Sequence, residues 1–216
     1  MTFAPKTPIT EILTALDTGQ TTAAALLDTA LERAKDAGGE GARVFTALME
    51  DSARAEAAAS DGLRKAGVPP RPLEGLPISI KDLFDVKGAV TTAGSRVLAT
   101  EPPAEADAPV IARLRAAGAV LVGRTNMTEF AYSGLGGLAG FKPTQSRVPI
   151  AGAVPLSTSL DSIGPLAPTM ECCVRVHQVL AGETERRIPA LPVKGLRLAV
   201  PKEFVLDDLD EPTSAA

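Results

Sequence analysis

The side chains able to do chemistry are few. His177 is the only histidine, and the two cysteines, Cys172 and Cys173, are adjacent. A histidine base needs a nucleophile and an orienting carboxylate beside it. His177 instead falls mid-helix beside Val176 and Val179, which reads as a partly buried or surface helix position. Neighbouring cysteines in a helix point in different directions and do not readily bond each other. No His/Cys cluster has metal-ligand spacing, so no metal or other cofactor is implied and both thiols read as small core or boundary residues. Asp82, Asp85 and Glu129 raise the idea of paired carboxylates, but beside Lys81 a structural ion pair or a cap is the better expectation. Ser79, Ser133, Ser157, Ser159 and Ser162 carry hydroxyls, and most serines only cap or bond locally. Ser79 shares a strand face with Lys81. Taken alone, Lys81 reads as a strand-end lysine pointing to solvent.

Composition narrows the partners. The chain has 216 residues, 45% hydrophobic and 22% charged, with a formal net charge of -4. That suits a globular domain with a real core and gives no electrostatic case for nucleic acid or an anionic membrane. Aromatics are 3%, with no Trp and one Tyr, so base-stacking platforms are not expected. No apolar run reaches the length of a membrane span, and no signal peptide is visible. The default location is cytoplasmic, in a reducing compartment.

The elements that must position these groups alternate. Thr10 is expected to cap a helix through Leu16, and Thr21 or Thr22 a second bearing Leu26, Leu27, Ala30, Leu31 and Ala34. Arg43 to Met49 reads as a strand, Glu50 to Ala66 as an Ala-rich surface helix, and Pro69, Pro70 and Pro72 as a rigid connector. Leu76 to Asp82 reads as a buried strand whose polar end reaches the sheet edge. Asp107-Ala108-Pro109 starts a helix that Gly118 ends, and Ala119 to Val122 is an apolar strand. Thr125 is expected to cap a helix through about Phe130, and Thr169 one running to Leu180, closed by Gly182. Leu196 to Val200 is a last strand. This alternation predicts an α/β fold, a three-layer α/β/α sandwich with a mixed sheet.

Five segments in order carry a resemblance. They are Gly75-Leu76-Pro77-Ile78-Ser79-Ile80-Lys81-Asp82, Thr91-Thr92-Ala93-Gly94-Ser95, Gly123-Arg124-Thr125-Asn126-Met127-Thr128-Glu129-Phe130-Ala131, Gly140-Phe141-Lys142-Pro143-Thr144 and Ser159-Leu160-Asp161-Ser162-Ile163-Gly164-Pro165-Leu166-Ala167. Together they resemble the N-terminal half of the amidase signature family. The resemblance implies hydrolysis of carboxylic amides through an acyl-serine intermediate, with a Ser–cis-Ser–Lys triad and no cofactor. Lys81 matches the family's lysine, which accepts a proton through the cis-serine. For that it must be neutral, and burial away from a carboxylate favours the neutral form. An alcohol nucleophile needs such a base. Lys142 is matched and expected to be structural. Gly94-Ser95 and Ser157-Thr158-Ser159 are expected beside the substrate cleft.

The resemblance also exposes a gap. In the family a Gly/Ser-rich stretch with both catalytic serines, then a helix and an oxyanion-hole turn, lies between the segments that match 123–131 and 140–144. Here only 132–139 separate them, and no Gly-Gly-Ser run occurs in the chain. The join is expected near Gly136-Gly137. One oxyanion donor is worth about 3–4 kcal/mol, and loss of the nucleophile is more severe. The expectation is therefore a single, incomplete amidase-like domain over 1–216: an N-terminal helical part at 1–70, a lysine-bearing core at 71–134, and a downstream core with a truncated end at 138–216. Such a chain is expected to be inactive as written. The alternative is a non-catalytic remnant, or a binding or structural subunit related to amidotransferase A subunits. The partner is a small-molecule amide if the chain is active, and self-association through exposed sheet edges is expected.

Overall fold

The computed structural model describes residues 3–4, 6–128 and 139–184, together with 188, 192 and 194–197. Residues 1–185 form one compact unit and 186–216 a second. The elements of the first, in chain order, are α1 (Ile9–Asp17), α2 (Ala23–Lys35), α3 (Gly41–Val44), β1 (Phe45–Leu48), α4 (Glu50–Lys65), β2 (Pro77–Lys81), α5 (Pro109–Ala116), β3 (Val120–Thr125), β4 (Ala139–Gly140), β5 (Leu166–Ala167) and α6 (Met170–Ala181).

The main sheet has the order β1-β3-β2. β2 runs parallel to β3, with Ile80 opposite Arg124 and Lys81 opposite Thr125, whereas β1 runs antiparallel to β3. The sheet is therefore mixed. β3 is buried from Val120 through Arg124, as its run of apolar residues requires when both faces are covered. On one face Val120 and Val122 meet Leu27 and Leu31 of α2 and Ala53 and Ala57 of α4. On the other, Leu121 and Ile80 meet Val110, Ile111 and Leu114 of α5. Helices thus cover both faces, giving the three-layer α/β/α arrangement. Each fully buried Leu, Ile or Val here contributes about 1.5–3 kcal/mol.

Several local expectations are corrected. α1 starts at Ile9 after Pro8, which offers no side-chain cap, and Thr10 lies inside the first turn. The expected strand at Arg43 begins only at Phe45, because Gly41–Val44 closes a helical turn first. α4 is more than a surface helix: Ala53, Ala57 and Ser60 lie at helical spacing and are fully buried. β2 is less buried than expected; only Ile80 is buried, and β2 is a sheet edge among the described residues. Thr125, the expected cap, ends β3, and its hydroxyl donates to the Ile80 carbonyl at 3.3 Å. Residues 129 and 130 of the helix expected after Thr125 lie outside the described residues, as do Leu198 to Val200 of the expected last strand. Thr22 and Thr169 do cap, accepting from the Ala25 and Cys172 amides at 3.1 and 3.2 Å.

Candidate active site around Lys81

β2 delivers Lys81 to the carboxyl end of the parallel β2–β3 pair, the usual place for chemistry in an α/β sheet. The side chain is exposed rather than buried, which corrects the expectation of a desolvated amine. Ser79 is exposed two residues back on the same strand. Among the described residues Lys81 has no hydrogen-bond or ion-pair partner on its amine.

The next residue turns inward. Asp82 is 2% and Arg124 3% exposed. The Arg124 Nε lies 2.8 Å from Asp82 Oδ1, an ion pair whose angle is not that of a hydrogen bond. Arg124 Nη1 donates to the Val90 carbonyl at 2.6 Å and Nη2 to the Phe84 carbonyl at 2.8 Å. Burial pushes the guanidinium below its ordinary value, while the carboxylates of Asp82 and Asp85 oppose that shift. Asp82 Oδ2 accepts from the Thr92 hydroxyl and from the Gly94 amide at 3.2 Å. The Ala93 amide donates to the Asp82 carbonyl at 2.9 Å. The Thr91–Ser95 motif is therefore a loop wrapped around Asp82. Ala93 and Gly94 take φ of 48° and 69° to make that turn. Gly94 has a second requirement: a Cβ there would meet the Met127 carbonyl oxygen at 2.8 Å. Thr91 donates to Asp85 Oδ1 at 2.7 Å. Asp82 is thus the structural ion pair expected from its place beside the lysine, and Arg124 is a partner that sequence reasoning missed. Its signal was present, since Arg124 sits in a matched segment on an otherwise apolar strand, where a charge must be paired.

The remaining candidates sit apart from this constellation. Ser133 and Glu129 lie outside the described residues. Ser157 and Ser159 share a loop, their hydroxyl oxygens 3.4 Å apart; that loop is held by Asp161 Oδ2, which accepts from the Leu156 and Ser157 amides at 2.9 and 3.0 Å. Lys142 and Ser159 are exposed, and Ser162 is half-buried. An open cleft of about 670 Å³ is lined by Asp85, Thr91, Glu101, Glu105, Gly152 and Val154 among others, but not by Lys81, Gly94 or Ser95.

α6 carries the other tempting residues as packing groups. Cys172 and Cys173 are buried free thiols. The Ile9 amide donates to the Cys172 sulfur at 3.3 Å, and the Cys173 thiol donates to the Ala139 carbonyl at 3.2 Å. Burial pushes the Cys173 thiol up, away from the thiolate a nucleophile needs. His177 is 9% exposed, with its ring edge-on to Phe141 at 4.9 Å between centroids.

Comparison with known proteins adds a second kind of observation. The Amidase family model matches the chain in two segments, residues 25–136 and 133–216. The glutamyl-tRNA(Gln) amidotransferase A subunit of Salinibacter ruber is 32% identical over 268 positions, covering 94% of this chain and 52% of the relative. AtzE, the 1-carboxybiuret hydrolase subunit of Pseudomonas sp. (strain ADP), is 31% identical, covering 88% and 56%. A crystal structure of an amidase superposes with a TM-score of 0.74 at 33% identity, covering 82% and 52%. A chain from a structure of a vestigial protein complex, described as revealing the evolutionary origins of an s-triazine catabolic enzyme, gives a TM-score of 0.73 at 29% identity, covering 85% and 53%. The chain spans about half the length of the curated relatives it matches. The Salinibacter alignment runs over 268 positions while the chain has 216 residues, so dozens of the relative's residues face none here. The two family segments meet at 133–136, where the internal join was expected.

Proposed function

The chain belongs to the amidase family, and on that premise we propose that it retains the base of a Ser–cis-Ser–Lys amide hydrolase without the serines that base would serve. In this reading Lys81 is the inherited proton acceptor. The reaction of the complete family site is attack of a serine oxygen on a carboxylic amide, giving an acyl-serine and a released amine. The polypeptide as it stands has no activated hydroxyl to attack with, and so no turnover above background. The observation that carries this is the two-part family match, whose halves meet at 133–136 with no Gly/Ser-rich stretch between them. That no hydroxyl among the described residues is hydrogen-bonded to the Lys81 amine supports the absence of a relay serine, while the exposure of that amine does not supply the desolvation a neutral lysine base needs. We extend the proposal to one incomplete domain over 1–216, to a cytoplasmic location consistent with the free thiols, and to self-association through sheet edges. No helix among the described residues is long and apolar enough to cross a membrane.

Ammonia release from a panel of simple amides, compared with Lys81→Ala, tests the proposal. Equal, background release from both chains is expected. Release that Lys81→Ala abolishes overturns it. A transcript with additional codons between Gly134 and Leu138 would restore the hydrolase reading outright.

A second reading, a binding or structural subunit, is favoured by the names of the relatives, which are themselves subunits of an amidotransferase and of a hydrolase. Its signature is a protein that co-purifies at fixed stoichiometry.

A further inference from the structure

We draw no further inference here: the strongest candidate, the open cleft of about 670 Å³ beside the Asp85 turn, is an acidic cluster whose Asp85 and Asp107 carboxylates already accept from the Thr91 hydroxyl and the Lys87 amide, whose Glu101 and Glu105 are exposed, and none of whose lining residues is a buried polar side chain without a partner.

Discussion

Thr125 donates its hydroxyl to the carbonyl of Ile80 at 3.3 Å, so the last residue of β3 holds the residue that precedes Lys81. One step further along the chain, the Asp82 amide bonds back to the Thr125 carbonyl. Lys81 is therefore fixed on both sides through its neighbours while its own side chain stays exposed.

Breaking one half of the buried pair is expected to be severe. Arg124→Ala strands the Asp82 carboxylate in the interior, and a broken buried pair costs about 3–5 kcal/mol. Whole domains are stable by only about 5–15 kcal/mol. The urea midpoint should fall sharply, and a loss below about 1 kcal/mol would contradict the pair's burial.

Two glycines with similar backbones should respond differently to alanine. Gly67 and Gly118 both have positive φ, at 73° and 86°. A Cβ on Gly67 meets nothing within 4 Å, whereas on Gly118 it would lie 2.7 Å from a Glu74 carboxylate oxygen and 2.9 Å from the Glu74 Cα. Gly67→Ala should cost about 1–2 kcal/mol of left-handed strain. Gly118→Ala should cost clearly more, because backbone must also move. Equal shifts in thermal midpoint would contradict the close approach.

How much of this was legible beforehand depended on whether a signal was local. The apolar run at Ala119 to Val122 gave a buried strand, and the Thr169 and Gly182 punctuation gave α6, because caps and periodicity act within a few residues. Lys81 was identified by its segment, but its exposure depends on what covers the strand edge, which no local pattern encodes. The lone charge on the apolar strand marks Arg124 as a residue that must be paired, but its partners Asp82, Phe84 and Val90 come from a different stretch of chain and are not named by any local pattern. Ala53 and Ala57 were read as surface because small residues look neutral until a second helix is laid against them.

Acid should weaken the α6 region through His177. Burial holds its imidazole below the ordinary value of 6.5, with Glu183 opposing and Arg147 adding to the effect. The unfolded chain therefore binds more protons than the folded one below about pH 6.5. The contribution is fully present above that pH and is lost as pH falls through the lower folded-state value. Its slope is bounded by about 1.4 kcal/mol per pH unit. Urea midpoints should decline from about pH 7 to about pH 5 more steeply for the wild type than for His177→Leu. Parallel declines would remove His177 from the account.

The central claim is that no activated serine stands in this chain, and a fluorophosphonate probe reads that most directly. Intact-mass analysis after incubation should show an unmodified polypeptide, identical to the Lys81→Ala control. Stoichiometric labelling of one serine, lost on Lys81→Ala, would contradict the claim and make the chain a working hydrolase.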